Sequence, residues 1–169
     1  MRLHPYFLAA LTLWSVAVGC SGNSVEHGTV GFDVSPDGKE IVFPSPDGDL
    51  FILNLESQKV RRLTDTDSEE TSPAFSPDGA TVVYAAKPKT AKGSMIFSIA
   101  PDGANVKQLT DDPEASDVRP AYSRDGSRIV FARAHRHRPY SMGGWTWDDW
   151  DVYIMDADGG NLTRVTRSE

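Results

Sequence analysis

The sequence predicts an all-β fold: a β-propeller of four-stranded antiparallel blades, with three blades present. Three observations predict it. A turn tetrapeptide, Ser-Pro-Asp-Gly, recurs at Ser35, Ser45 and Ser76, and again as Ser123-Arg124-Asp125-Gly126. Anchored on Ser35, Ser76 and Ser123, the copies lie 41 and 47 residues apart, against a period of about 40 to 45 for a four-stranded propeller blade. Each anchor is followed by the same succession of apolar runs, beginning Ile41-Val42-Phe43, Val82-Val83-Tyr84 and Ile129-Val130-Phe131. A generic β-sandwich with recurrent turns has no reason to repeat residue identities at a fixed period.

The turns come first in each unit. Proline presets the backbone for the second position of a tight turn, Asp accepts local backbone hydrogen bonds, and Gly takes the left-handed conformation that sends the chain back on itself. Ahead of each turn, Pro73-Ala74-Phe75 and Pro120-Ala121-Tyr122 supply a first strand, with Phe32-Asp33-Val34 in the first unit. The β-branched and aromatic run after the turn is too short for a helix and reads as the second strand. A third strand follows at Leu50–Leu55, Met95–Ile99 and Val152–Met155. Gly-containing turns at Asp102-Gly103 and Asp158-Gly159 lead to a fourth. That strand is more polar: Val60–Thr64, Val106–Thr110 and Leu162–Thr166. Middle strands that are apolar on both faces suit blades packed between neighbours. Arg61, Arg62 and Lys107 on the last strand blunt an exposed edge. The predicted boundaries are 29–67, 68–112 and 113–169, the third blade carrying an insertion at 133–150.

With those motifs in place, the chain resembles the WD-like repeats of the TolB-type β-propellers. The matching residues are Leu63-Thr64-Asp65 with Pro73-Ala74-Phe75-Ser76-Pro77-Asp78-Gly79, Leu109-Thr110-Asp111 with Pro120-Ala121-Tyr122-Ser123, and Val152-Tyr153-Ile154-Met155-Asp156-Ala157-Asp158-Gly159. The resemblance covers about residues 29–167. It departs from the pattern at Phe32-Asp33-Val34 and at Val165-Thr166-Arg167. Its motifs are structural, so it implies a fold and says little about function.

The front of the chain has a different character. Residues 1–19 hold one Arg and an apolar run from about Tyr6 to Val18, short for a membrane span and suited to a signal peptide. The run ends in Ala17-Val18-Gly19-Cys20, and Cys20 is the single cysteine of the chain. The segment resembles a lipobox, although Leu is commoner at the position of Ala17. That implies a lipidated Cys20 followed by a small, polar tether over 20–28. Several acyl chains anchor firmly, each buried methylene adding about 0.8 kcal/mol. Ser21 after the cysteine implies the periplasmic face of the outer membrane if the cell is Gram-negative. An ordinary secretory signal and an uncut anchor are the alternatives. One cysteine also means no intrachain disulfide.

Net charge is −7 for the chain, and without residues 1–19 it is −8, from 16 basic and 24 acidic residues. An acidic domain is a poor partner for nucleic acid and is not drawn to anionic lipid. Propellers close with about four to eight blades, so three blades leave apolar end faces to be covered. A second copy completing the ring, another envelope protein docked on an open wedge, or truncation of a longer propeller would each answer this. Nothing in the sequence specifies self-pairing, which favours the last two.

The insertion, RAHRHRPYSMGGWTWDDW over 133–150, is unlike the rest of the chain. Its equivalents in the first two units are much shorter. Arg, Tyr and Trp are the types that anchor interfaces, so Arg136, Arg138, Tyr140, Trp145, Trp147 and Trp150 are the interface or ligand candidates. The bland alternative is that Trp145 and Trp147 cap the open face of the third blade. His135 and His137 share one face of a strand and form a weak metal pair, crowded by Arg133, Arg136 and Arg138 and short of a third ligand. An exposed polar hairpin explains them better. Asp156-Ala157-Asp158-Gly159 begins like a calcium loop, but position 12 is Arg167, so it reads as a turn. Glu70 and Asp117, each three residues ahead of Pro73 and Pro120, read as partners for backbone groups between blades.

No G-x-S-x-G elbow and no phosphate-binding glycine loop occurs in the sequence. The expected function is therefore that of a non-catalytic envelope lipoprotein whose blades form a protein-binding scaffold, with no cofactor. A carbohydrate- or small-ligand-binding module using the Trp-rich insertion is the alternative, as is a truncated relic.

Overall fold

The computed structural model describes residues 31–139 and 144–167. The described elements are strands, grouped into three four-stranded antiparallel sheets. The first holds β1 (Asp33–Val34), β2 (Glu40–Pro44), β3 (Leu50–Asn54) and β4 (Val60–Arg62). The second holds β5 (Glu69–Phe75), β6 (Val82–Lys87), β7 (Met95–Ile99) and β8 (Lys107–Gln108). The third holds β9 (Ser116–Tyr122), β10 (Arg128–Pro139), β11 (Trp145–Asp156) and β12 (Thr163–Arg164). Strands neighbour one another in chain order within each sheet, as propeller blades do.

The repeated turns are superposable in their bonding. Ser35 Oγ donates to Asp37 Oδ1 at 2.7 Å and accepts the Glu40 amide at 2.9 Å. The Gly38 amide donates to the Ser35 carbonyl at 2.8 Å. Ser76 with Asp78, and Ser123 with Asp125, repeat the pattern. Gly38, Gly79 and Gly126 have φ of 71°, 72° and 73°, a left-handed conformation that glycine adopts without strain. Replacement of Pro by Arg124 leaves the turn intact, because the Ser and Asp side chains carry most of its bonding.

The first strands of the second and third sheets are kinked alike. Ser72 and Arg119, each before a proline, have φ of 51° and 54°, and the pairing shifts register there. Proline in a central run is tolerated at such a bulge, where no ladder bond is lost.

Two apolar cores hold the sheets together. Val42, Leu50, Ile52 and Leu63 of the first sheet meet Phe75, Val82, Tyr84 and Ile99 of the second. On the other face of the second sheet, Val83, Ala85 and Ile96 meet Ile129, Phe131 and Met155 of the third. The middle sheet is therefore apolar on both faces because both are covered. A buried side chain of this size stabilises by roughly 1.5–3 kcal/mol. Stacked aromatic pairs recur at one register: Tyr84–Phe97 at 5.8 Å and Phe131–Tyr153 at 5.9 Å, with Phe43–Phe51 at 6.2 Å in the first sheet.

Polar groups tie the junctions. The Glu70 amide donates to the Gly48 carbonyl and the Asp117 amide to the Ser94 carbonyl, both at 2.8 Å. Glu70, 1% exposed, also accepts from Thr64 Oγ1 and Thr66 Oγ1. Burial pushes its carboxyl above the ordinary glutamate range, against the pull of the two threonine hydroxyls. Asp33 Oδ2 accepts the Phe75 amide at 2.8 Å, so the departure from Pro-Ala-Phe in the first unit contributes a cross-sheet bond.

The signal segment, Cys20 and its tether lie outside the described residues, as does Tyr140. The insertion differs from the expected loop. The central strands of the third sheet run on through it, so that β10 and β11 are 12 residues each. Alternation in Trp145-Thr146-Trp147-Asp148 suits a strand, and Arg136↔Asp148 and His137↔Trp147 pair across the hairpin.

Candidate functional site

The extended part of the β10–β11 hairpin collects five of the six sequence-predicted interface residues. Its two faces carry different chemistry, because alternate residues of a strand point to opposite sides. On one face His137 lies between two indoles, with ring centroids 4.9 Å from Trp145 and 4.7 Å from Trp147. Trp145 is 66% exposed all the same. His135, one step toward the sheet, meets the Tyr153 hydroxyl through Nε2 at 3.1 Å. On the other face Arg138 Nε donates to Asp148 Oδ2. Trp150, 44% exposed, also belongs to this face, and its Nε1 donates to the Trp147 carbonyl at 3.2 Å.

Asp149 breaks the alternation. Its φ is 56°, a left-handed conformation uncommon outside glycine, asparagine and aspartate. Its carboxylate ends 3.1 Å from Arg136 Nε. Arg136 and Arg138 keep 63% and 57% of their side-chain surface exposed, so each guanidinium retains donors for a partner. An exposed ion pair adds little to stability, about 0–1 kcal/mol. The arrangement orients the arginines more than it holds the fold.

The base of the hairpin is held by buried charge. Arg133 donates from Nε and Nη2 to the two oxygens of Asp117, at 2.6 and 2.7 Å. The residues are 6% and 1% exposed. The guanidinium carbon also stands 5.6 Å from the Phe131 ring centre and 5.1 Å from that of Tyr153, within cation–π range. Across the sheet Asp151, 2% exposed, accepts from Arg164 Nη2 and from Thr166 Oγ1. The sequence singled out Asp117 but read Arg133 as part of a loop. Only the length of β10 reveals it as a core residue at the hairpin's root.

His135 and His137 do share a face, as their spacing predicts. His135 Nε2 is 3.9 Å from Asp151 Oδ2, a carboxylate already engaged by Arg164 and Thr166. Among the described residues no group of three His, Cys, Asp or Glu side chains is placed to hold a metal ion. Asp156–Gly159 forms a turn, with the Gly159 amide donating to the Asp156 carbonyl at 2.9 Å.

Comparison with known proteins gives a consistent picture. A family model for the TolB beta propeller domain matches residues 23–143. Among solved structures, a protein assigned as TolB from Agrobacterium tumefaciens superposes with a TM-score of 0.64 at 26% identity, over 78% of this chain and 47% of that one. TolB from Acinetobacter baumannii gives 0.60 at 24% identity, over 83% of this chain and 33% of its own. This chain thus spans less than half the length of either. Oligogalacturonate lyase from Vibrio parahaemolyticus gives 0.60 at 15% identity, over 84% of this chain and 41% of its own, a likeness of fold alone. No curated protein matches the sequence.

Proposed function

Because this chain belongs to the TolB β-propeller domain family, we propose that it is a rigid, non-catalytic scaffold of the cell envelope that binds a protein partner through the β10–β11 hairpin. One observation carries the reading: the hairpin holds exposed Trp145 and Trp150 beside the half-exposed guanidinium groups of Arg136 and Arg138. Trp and Arg dominate binding energy at protein interfaces. The hairpin is also stiff, being paired along its length and rooted in the Arg133–Asp117 pair. A preorganised surface loses less side-chain entropy on binding. Its position favours recognition too, since presented segments on a rigid frame are where propeller-like scaffolds carry function.

The sugar-binding alternative calls for carboxylates beside the tryptophans that are open to hydroxyl groups. Asp148 and Asp149 are instead paired with Arg138 and Arg136, and His137 already occupies one face of each indole. Both observations support the protein reading. The non-catalytic reading is supported by the buried ionisable groups, since Glu70, Asp117, Arg133 and Asp151 all serve structural bonds. Placement in the envelope, with Cys20 as a lipid anchor, rests on the apolar run and Ala17-Val18-Gly19-Cys20.

The test is a double variant, Arg136→Ala with Trp147→Ala, compared with wild type in capture from an envelope extract. The variant is expected to keep its circular dichroism spectrum and lose the captured partner, while titration with a panel of neutral and acidic oligosaccharides stays silent for both. Undiminished capture by the variant, or saturable sugar binding abolished by it, would overturn the reading.

A further inference from the structure

The two junctions between blades follow one template, and the third blade presents the same template uncovered. Counted from the anchors Ser35, Ser76 and Ser123, Val42 and Val83 correspond to Val130. Leu50 and Ile96 correspond to Val152, because each accepts the same bond from its fourth strand: Leu63 amide to Leu50, Leu109 to Ile96, Val165 to Val152. The four residues of the first two blades are 0% exposed, whereas Val130 and Val152 are each 37% exposed. Val165 is 60% exposed where Leu63 is 7%.

That face holds a cavity of about 370 Å³ lined by Arg128, Ile154, Met155, Asp156, Asn161 and Thr163. Its place in the repeat is informative. At the first junction, Phe75 enters from the next blade and packs in one cluster with Ile52, the counterpart of Ile154. At the second, Tyr122 enters from the next blade and packs against the cluster that holds Val83 and Ile96, and its hydroxyl meets Thr81, the counterpart of Arg128. The cavity therefore stands where the first strand of a following blade inserts its side chain.

The opposite end of the chain carries the mating half. The faces that fill the two junctions present the pairs Tyr84–Phe97 and Phe131–Tyr153. The first blade presents their counterpart, Phe43–Phe51, in the same stacked geometry. Phe43 and Phe51 are half-buried, while Tyr84 and Phe131 are each 2% exposed. Val34, 43% exposed, holds the place of Phe75 and Tyr122. The turns agree as well. A Cβ at Gly79 would lie 3.5 Å from Pro36, and one at Gly126 3.5 Å from Pro77, while at Gly38 nothing lies within 4 Å. Arg124 replaces that proline on the third blade, so the turn meeting Gly38 would bring a cation beside Asp37.

We propose that a second copy of this chain docks head to tail on the third blade, its first blade filling the cavity, so that two copies close a ring of six blades. Such a heterologous contact gives a closed ring when its rotation closes, and six lies within the usual range of blades. The joint between copies is the weakest in the ring. Arg61 reaches the Pro101 carbonyl across the first junction and Lys107 the Asp158 carbonyl, at 2.7 Å, across the second, but the third blade has Thr163 there. This inference is independent of the role of the hairpin.

The test uses the full chain with Cys20→Ser. A Cβ at Gly159 lies 3.5 Å from Leu109 Cβ, within the roughly 3.5–4.5 Å that a disulfide spans. By count along the paired strands Ser57 and Val165 hold those two places across the joint, the first-blade turn carrying its left-handed residue one position later, at Gln58. Oxidising a mixture of the Ser57→Cys and Val165→Cys variants is expected to give a two-chain band, and either variant alone none. Light scattering of wild type should rise toward twice the chain mass with concentration, and Val152→Glu, folded by circular dichroism, should stay at one. A one-chain mass throughout with no cross-link, equal cross-linking of either variant alone, or growth beyond two chains would each overturn the closed ring.

Discussion

Removing the Asp117 carboxylate should strip the third blade of the bond that roots its long hairpin. In Asp117→Ala the Arg133 guanidinium keeps its burial, at 6% exposure, and loses its two hydrogen bonds of 2.6 and 2.7 Å. Breaking a buried pair by deleting one partner costs about 3–5 kcal/mol, because a charge is left uncompensated. Asp112, 3.7 Å from Nη1 and nearly half exposed, recovers only a small part of this. The expected loss is therefore about 3 kcal/mol or more, which for a domain of this size lowers Tm by roughly 10 °C. Urea unfolding at pH 7, followed by tryptophan fluorescence and far-UV circular dichroism, measures it. The double variant Asp117→Ala with Arg133→Met removes the charge as well and should recover about half the loss. A cost below about 1 kcal/mol in the single variant, or no recovery in the double, would show that the pair is not the anchor the geometry describes.

Two further outcomes follow from the turns and the buried carboxylate. Gly159→Ala should cost about 1–2 kcal/mol and Gly38→Ala measurably less. Both have positive φ, but only at Gly159 would a Cβ lie 3.1 Å from a backbone oxygen, that of Leu109; equal urea midpoints would refute the assignment. The pH profile should carry two opposite trends. Burial raises the Glu70 carboxyl, so its contribution is full below the unfolded value of about 4.3 and is lost as pH rises through the folded one. Wild type should therefore lose stability relative to Glu70→Gln as pH rises from about 4 to 7. Asp125 is held down to about 2, first by the Ser123 hydroxyl and then by the Ser127 amide. Its contribution is present above about 4 and fades as pH falls toward 2, a fall that should be shallower in Asp125→Asn. Urea midpoints measured from pH 2 to 7 separate the two trends.

What the sequence made legible was what the repeat encodes. Ser35, Ser76 and Ser123 fixed the turns, and the apolar triplets after them fixed the second strands, because each feature is local and written three times. The bulges at Ser72 and Arg119 were not read from the sequence, although each stands directly before a repeated proline, Pro73 or Pro120. The insertion was less legible for the same reason: it occurs once, so no second copy shows which of its residues continue the strands. Arg133 was thus read as the start of a loop, although Asp117, its partner, sits 16 residues away at a repeated position. A residue buried by pairing with a distant charge leaves no periodic trace. The engagement of Asp148 and Asp149 by arginines was equally hidden, since it depends on hairpin register and on the left-handed turn of Asp149.

The departures from the repeat concentrate in the third blade, and that concentration bears on function. At the register where the first two blades have Ser45 and Ala86, the third has Arg133. Where they have Pro36 and Pro77 it has Arg124, and where they have Arg61 and Lys107 it has Thr163. The shared positions are those that build junctions, and they are under the same packing demand in every blade. A residue that breaks the template at a buried position must answer to something the other blades do not face. For Arg133 that demand is the hairpin: an alanine at its place would leave Asp117 buried without its cation, and the strands beyond it would lose their fixed base. Thr163 instead lines the cavity on the far face of the third sheet, and Arg124 holds the place from which Pro36 and Pro77 meet the turn of the next blade. The two groups of departures mark two surfaces, the hairpin with its tryptophans and the face with its cavity. Substitutions at one should leave the other's readout unchanged, because the third sheet places the two at opposite ends of β10.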